Sequence, residues 1–153
     1  MTIHFYKAHD DYGFMSNFYE APIVIDGELW RTTEHYYQAQ KFEEGPKRYR
    51  IKRCSTPNEA AVTARRLRGI VDDWDEIKYR IMYLAVLNKF TQHLDLMRKL
   101  LETGDEGLVE HTVGTIRPDP WWGDGADGTG RNWLGKILMQ VRSVLRHNLE
   151  GEK

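Results

Sequence analysis

Ile23-Val24-Ile25-Asp26-Gly27-Glu28-Leu29-Trp30 runs directly into Arg31-Thr32-Thr33-Glu34-His35-Tyr36-Tyr37-Gln38-Ala39-Gln40-Lys41-Phe42. Two short β-rich runs joined by Asp-Gly form the strongest hairpin signal in the chain, because both turn residues tolerate the positive φ of a type I′ turn. Thr32 and Thr33 offer capping hydroxyls, and the pattern behind them predicts a helix over 34–43. A hairpin that feeds straight into a helix makes the chain α+β.

Outward from this stretch, helices dominate. Residues 3–6 read as a short strand and Asp10-Asp11-Tyr12-Gly13 as a turn. Gly45-Pro46 punctuates the chain after the first helix. Pro57 opens a helix over 57–68, with Thr56 or Ser55 as its cap. Trp74 to about Gln92 carries Ile77, Ile81, Leu84 and Ala85 at helical spacing, with Met82 and Val86 beside them. Leu94 to Leu101 forms a further helix, stopped by Thr103-Gly104, and Leu108 to His111 a short strand. An irregular stretch from Ile116 to Gly130 precedes a last helix. Asn132 caps that helix, and its apolar set is Leu134, Ile137, Leu138, Val141, Val144 and Leu145. From His147 the chain is polar and expected to fray. The expectation is one mostly helical α+β domain over residues 1–148, with a small antiparallel sheet and a polar tail at 149–153.

The 153 residues suit a single domain. With 41% hydrophobic and 29% charged residues the composition is that of a globular protein. A net charge of -1 argues against a stable duplex nucleic-acid binder, whose footprint is basic. Cys54 is the single cysteine, so no internal disulfide forms. No signal-peptide run and no membrane span are present, which makes a cytoplasmic location the expectation.

Two segments carry chemistry. In the first, Glu34, Tyr37, Gln38 and Lys41 fall at i, i+3, i+4 and i+7 and share one helical stripe. Such a stripe is either a solvated face or one wall of a polar cleft. Glu34 sits in the first turn, where the positive helix end stabilises a carboxylate by about 0.3–1 kcal/mol. That placement suits a base, a nucleophile or a stabiliser of positive charge better than a general acid.

The second segment is Asp119-Pro120-Trp121-Trp122-Gly123-Asp124-Gly125-Ala126-Asp127-Gly128-Thr129-Gly130-Arg131-Asn132. Gly123-x-Gly125-x-x-Gly128 matches a dinucleotide fingerprint by letter only, since no hydrophobic strand precedes it and no βαβ unit follows. The Asp124–Asp127 spacing also fails a calcium loop. What stands is a glycine-rich loop entering a helix, whose backbone N–H groups attract anions, with Arg131 adding charge. Paired Trp residues favour a binding loop. The six His show no zinc spacing and read as structural or surface residues. Cys54 lacks a nucleophile signature. Arg65-Arg66-Leu67-Arg68 reads as a solvated helix face able to contact phosphate from a pocket rim.

The chain resembles the YbiA-like, or NADAR, family of small N-glycosidases. The resemblance rests on Phe14-Met15-Ser16-Asn17-Phe18, Ile25-Asp26-Gly27 with Trp30, and Thr33-Glu34-His35-Tyr36 with Gln38-Ala39-Gln40-Lys41-Phe42. It continues through Trp74, Lys89-Phe90, Leu108-Val109-Glu110-His111-Thr112, Trp122-Gly123-Asp124-Gly125 with Asp127-Gly128, and Asn132-Trp133-Leu134-Gly135 with Leu138-Met139 and Val141-Arg142. Order and spacing hold from Phe5 to about Arg142. Arg31 stands where many relatives carry Pro, and residues 115–120 are longer than the expected joint.

The resemblance implies hydrolysis of a C–N glycosidic bond without metal or cofactor. It implies Glu34 and Asp124 as catalytic residues. Asn17, Phe18, Trp30, Gln38, Lys41, Trp74, Trp122, Gly123, Arg131 and Asn132 make up the expected substrate-binding set. Trp74 and Trp122 are expected to stack on the leaving base, Asp124 to hold ribose hydroxyls or water, and Lys41, Arg131 and the backbone from Gly128 to Asn132 to grip phosphate. The implied partner is a small phosphoribosyl substrate of the riboflavin-intermediate type. The alternatives are an ADP-ribosyl nucleobase of the ADP-ribosyl-guanine type, or a non-catalytic reader of ADP-ribose or nucleotide. A carboxylate beside an anionic ligand argues against the reader, and a purely structural role is the weakest of the readings.

Overall fold

Asp26 (φ 52°) and Gly27 (φ 78°) both take the left-handed conformation of a type I′ turn and join strand β2 (Ile23–Ile25) to β3 (Glu28–Trp30) in an antiparallel hairpin. The structure is a computed structural model that describes residues 1–115 and 118–152. The remaining elements are β1 (Thr2–Phe5), a 3₁₀ turn at Gly13–Met15, α1 (Thr33–Ala39), α2 (Pro46–Lys52), α3 (Pro57–Arg66), α4 (Trp74–Gln92), α5 (Leu94–Glu102), β4 (Gly107–Glu110) and α6 (Trp133–Gly151). The class is α+β, as the hairpin and the helical periodicities predict.

The chain divides into two compact units, one holding Met1–Tyr19 with the chain from His93 onward, the other Glu20–Gln92. In the first unit β1 pairs with β4 in parallel, Ile3 opposite Leu108 and His4 opposite Val109. The expected sheet is therefore two separate two-stranded pieces, one antiparallel and one parallel. The parallel pair joins strands a hundred residues apart, which local sequence cannot announce. Leu96 and Leu100 from α5, Leu108 from β4, and Leu134, Ile137, Leu138, Val141 and Leu145 from α6 fill this unit's core with Phe5, Phe14 and Met15. Arg142 is buried on α6 and donates to Thr103 Oγ1 at 2.8 Å.

In the second unit α1 packs on α2, α3 and α4. Ala60, Ala61 and Ala64 are buried on α3 and permit close approach. Ile81, Met82, Ala85 and Val86 bury one flank of α4, whereas Leu84, counted with them by periodicity, is exposed. α2 is an element the sequence reading misses. Pro46 occupies the first turn of a helix there, where its lost N–H costs nothing, so the Gly45-Pro46 pair starts a helix as well as ending a segment. α1 stops at Ala39 instead of 43, α3 stops at Arg66 instead of 68, and α6 continues to Gly151 through residues expected to fray.

Both small sheets protect an edge with a side-chain amide. Gln92 Oε1 accepts from Val24 N (2.8 Å) and its Nε2 donates to Val24 O (2.9 Å). Asn132 Oδ1 accepts from Glu110 N (3.0 Å) and its Nδ2 donates to Leu108 O (2.9 Å). Each amide satisfies a donor and an acceptor as a neighbouring strand would, which blunts an otherwise open edge.

Candidate functional site

In the Glu20–Gln92 unit, α1 begins at Thr32, whose hydroxyl accepts from His35 N at 3.1 Å. The same hydroxyl lies 2.7 Å from His35 Nδ1, and His35 Nε2 lies 3.0 Å from Cys54 O. A neutral His35 protonated at Nε2 satisfies all three contacts, with Thr32 donating to Nδ1. Burial, opposed by the Cys54 hydrogen bond, lowers the His35 pKa and favours that neutral form. His35 is thus a core histidine that anchors the start of α1, a structural residue as the absence of zinc spacing predicts.

The residue before it carries the chemistry. Glu34, Tyr37 and Gln38 are all buried, at 8%, 6% and 8% exposure. A solvated face is therefore excluded for this stripe. Gln38 Nε2 donates to Glu34 Oε1 at 2.7 Å, the i,i+4 pair that the spacing anticipates. Gln38 Oε1 is buried and, among the described residues, has no hydrogen-bond partner. Lys41 lies beyond the end of α1, where its N–H bonds Gln38 O (3.3 Å) and its ammonium stands 5.6 Å from the centre of the Tyr37 ring. Burial lowers the Lys41 pKa, and the Glu34 carboxylate partly offsets this. Trp74 opens α4 with its ring 5.2 Å from that of Tyr37. Glu34, Tyr37, Gln38, Lys41 and Trp74 thus form one set.

Trp30 does not join it. Its ring packs edge-on against Tyr36 at 5.6 Å, with the Lys52 ammonium 5.3 Å away. Tyr36 lies about 200° around the helix from Glu34, on the other side of α1.

Lys89 is 1% exposed on α4, and burial lowers its pKa to about 7. Its amine therefore titrates near neutrality in the fold and near 10.5 in the unfolded chain. Between those values the unfolded state binds a proton that the folded state does not, so stability contributed here rises with pH from about 7 to 10.5 and is flat below 7. The stability difference between wild type and Lys89→Met is expected to change by roughly 3–4 kcal/mol between about pH 7 and about pH 10. Urea melts of both proteins across that range check it; parallel curves would show an unshifted lysine.

In the other unit, Asp124 is 5% exposed and its carboxylate is heavily engaged. Oδ1 accepts from Ala126 N (2.9 Å) and Thr112 N (3.2 Å), and Oδ2 lies 2.6 Å from His111 Nδ1. Burial pushes its pKa up, but the His111, Ala126 and Thr112 hydrogen bonds outweigh this and hold it below the ordinary carboxylate value. His111, given no role by the sequence reading, is thus Asp124's principal side-chain partner. Its signal was the Leu108–Thr112 landmark.

The expected anion cradle is closed. Gly128 N and Gly130 N donate to Asp124 O, Thr129 N to Asp127 Oδ1, Arg131 N to Pro120 O and Asn132 N to Gly123 O. Trp133 N and Leu134 N, in the first turn of α6, donate to Trp121 O and Trp122 O. The loop folds back on the helix start and supplies every one of these amides with a carbonyl or carboxylate. Backbone from Gly128 to Asn132 therefore cannot hold phosphate as expected. Asn132 is likewise not a side-chain cap: it takes φ 52° and spends its amide on β4. Gly123 is buried where a Cβ would stand 2.7 Å from Glu110 O, so close packing on β4 accounts for it. Arg131 is exposed with its guanidinium 5.2 Å from the Trp121 ring centre. Trp122 is half-buried, edge-on to Trp121 at 6.3 Å. Asn17 is buried behind the Gly13–Met15 turn, and Phe18 is 40% exposed. Of the long joint at 115–120, Ile116 and Arg117 lie outside the described residues. Among the described residues, no group of three or more His, Cys, Asp or Glu is placed to hold a metal, and no helix is long and apolar enough to cross a membrane.

The sequence model of the NADAR domain matches residues 4–146. N-glycosidase YbiA of Escherichia coli (strain K12) is 44% identical over 144 residues, 94% of this chain and 88% of that protein. N-glycosidase Npun_R5314 of Nostoc punctiforme is 46% identical over 153 residues, covering 97% of this chain and 96% of that one. Riboflavin biosynthesis protein VVA0006 of Vibrio vulnificus is 40% identical over 95% of this chain and 39% of its own length. Among solved structures, the NMR structure of E. coli YbiA superposes with a TM-score of 0.87 at 43% identity, covering 96% of this chain and 86% of that one.

Proposed function

The chain belongs to the NADAR domain family, and we propose that this protein, an N-glycosidase, hydrolyses the C–N glycosidic bond of a phosphorylated ribosyl substrate of the riboflavin-intermediate type. The observation that carries the proposal is Glu34: a buried carboxylate in the first turn of α1, held by Gln38 Nε2 and standing in the field of Lys41.

Breaking an N-glycosidic bond builds positive, oxocarbenium-like charge on the ribose. A fixed carboxylate beneath C1′ stabilises that charge and aligns or deprotonates the attacking water. Gln38 Nε2 orients the carboxylate through its hydrogen bond, and the Lys41 ammonium interacts with it electrostatically. The buried Gln38 Oε1, unmatched among the described residues, is an acceptor available to a ribose hydroxyl or to that water. Trp74, backed by Tyr37, supplies a ring for the leaving base, where stacking contributes about 1–3 kcal/mol. Lys41 takes the substrate phosphate. Asp124 acts at one remove, organising its loop through Thr112, Ala126 and His111. The riboflavin name of the Vibrio vulnificus relative, 39% of whose length this chain matches, supports this substrate class over an ADP-ribosyl nucleobase.

Incubation with a panel of ribosyl, phosphoribosyl and ADP-ribosyl compounds, with the released base read by mass, tests the substrate. A 5′-phosphorylated ribosyl-pyrimidine is expected to turn over fastest. Lys41→Ala is expected to raise its KM about tenfold or more while barely affecting the dephosphorylated analogue. Preferential release of guanine from an ADP-ribosylated compound would replace this reading with the glycohydrolase one.

A further inference from the structure

α2 and α3 border an open surface hollow of about 490 Å³ that the reading of Glu34 does not use. Its wall includes three arginines, Arg50 in the last turn of α2, Arg53 just past its end and Arg66 at the end of α3. All three arginines are exposed, and among the described residues none forms an ion pair. Arg53 is oriented by Tyr49, lying 5.5 Å over its ring and donating to its hydroxyl at 3.3 Å.

Glu59, the acidic group in the wall, is already committed. Its Oε2 accepts from Ser55 N and Ser55 Oγ, each at 2.7 Å, and the Ser55 side-chain bond leads in lowering its pKa. Three positive charges thus face one carboxylate that is turned to its own helix cap. Helix dipoles explain a basic residue in the last turn of α2 and another in the last turn of α3. They do not explain why guanidiniums from two helices line one hollow without a counter-ion.

Beside the apolar Val62, the rest of the wall carries polar groups from Thr56, Asn58 and Thr63. Asn58 lies in the first turn of α3, a ten-residue helix whose positive end faces an anion favourably. Thr63 Oγ1 lies 3.5 Å from Cys54 Sγ, whose thiol also reaches Arg50 O at 3.4 Å. The wall contains no aromatic ring, so nothing there stacks on a base. The net excess of two positive charges matches a phosphoryl group, and planar guanidiniums bind such oxyanions bidentately.

We propose that this hollow is a second, non-catalytic binding site for the phosphate groups of a small phosphorylated ligand, recognised by Arg50, Arg53 and Arg66. The proposal stands independently of the catalytic reading, since no residue of the wall belongs to the Glu34 set. The site recognises phosphate and ignores the base: pyrophosphate and nucleoside diphosphates bind, and a nucleoside does not. The wall also adjoins the anchor of α1, because the Cys54 carbonyl is the His35 Nε2 partner.

Calorimetric titration of inorganic pyrophosphate into the full chain tests the site. Arg50→Gln and Arg66→Gln are each expected to weaken binding about tenfold to hundredfold. Arg65→Gln removes the same charge one residue away, outside the wall, and is expected to leave Kd nearly unchanged. Lys41→Ala is also expected to retain this binding, which separates it from the substrate site. Melting temperatures confirm that the variants are folded, and Arg66→Lys distinguishes lost bidentate geometry from lost charge. Equal weakening by Arg65→Gln and Arg66→Gln would show diffuse surface charge and overturn the proposal. So would loss of binding in Lys41→Ala alone, or no binding of pyrophosphate to the wild-type protein.

Discussion

Glu34→Gln is expected to lower kcat on the phosphoribosyl substrate by about 10²–10³-fold, and by more if the carboxylate also deprotonates water. The melting temperature is expected to stay near that of wild type. The substituted amide keeps an oxygen to accept from Gln38 Nε2, now a neutral bond in place of a charge-assisted one. The shape of the side chain is unchanged, so the buried stripe of α1 keeps its packing against Tyr37 and Lys41. What is lost is the negative charge, the part that matters when the ribose becomes cationic. KM separates this from a binding defect: removal of a transition-state interaction lowers kcat and kcat/KM together. A variant that turned over at a near wild-type rate would exclude Glu34 as the stabilising group. A variant with a collapsed melting curve would make its burial structural.

The part of the site on α1 was legible because it is local. A carboxylate, phenol, amide and amine at helical spacing behind a Thr cap need only the periodicity of a helix to become neighbours, and Glu34, Tyr37 and Gln38 do so. The cap itself was readable, since Thr32 is followed by the amide it accepts. Sequence could not say that this face is buried. That depends on α2, α3 and α4 packing around α1, and α2 was hidden behind a Pro read as a stop.

The loop at 119–132 shows the opposite case. Its letters do announce glycines, acidic residues and a helix start. Whether amides at a helix start are open to an anion depends on where the preceding carbonyls go, and a few backbone torsions decide that. Here Pro120, Trp121, Trp122, Gly123 and Asp124 all turn their carbonyls back onto amides between residues 128 and 134. The rule that helix starts attract anions holds, but the loop itself serves as the acceptor. Asn132 illustrates the same limit. Its type suits a cap, yet a strand edge formed by residues 107–110 claims its side chain, and that edge exists only because β4 pairs with β1.

That arrangement has a severe test at Gly135. Inside a helix, Gly→Ala normally stabilises by about 1 kcal/mol. Gly135 lies in the first turn of α6, where the helix meets β4 and the Asn132 side chain. A Cβ there would overlap Leu108 O and the Asn132 side-chain amide. Neither neighbour can yield cheaply: the carbonyl belongs to a paired strand, and the amide is bonded on both sides. Relief requires α6 to move off β4 or Asn132 to release its two bonds, leaving Leu108 O and Glu110 N unsatisfied. Gly135→Ala is therefore expected to destabilise the protein by at least about 2–3 kcal/mol, against the helix-propensity trend. For a chain of this length that corresponds to a drop of roughly 6–10 °C in Tm. Gly151→Ala provides the control, since it lies at the end of the same helix with nothing within 4 Å of the added carbon. Its melting temperature is expected to match wild type or slightly exceed it. Asn132→Gly completes the comparison by keeping the left-handed conformation at φ 52° while deleting the amide. If the amide bonds hold α6 to β4, this variant is also destabilised, and combining it with Gly135→Ala costs less than the sum of the two, because the clash with the amide has gone. Wild-type stability in Gly135→Ala would mean that α6 does not approach the β4 backbone this closely.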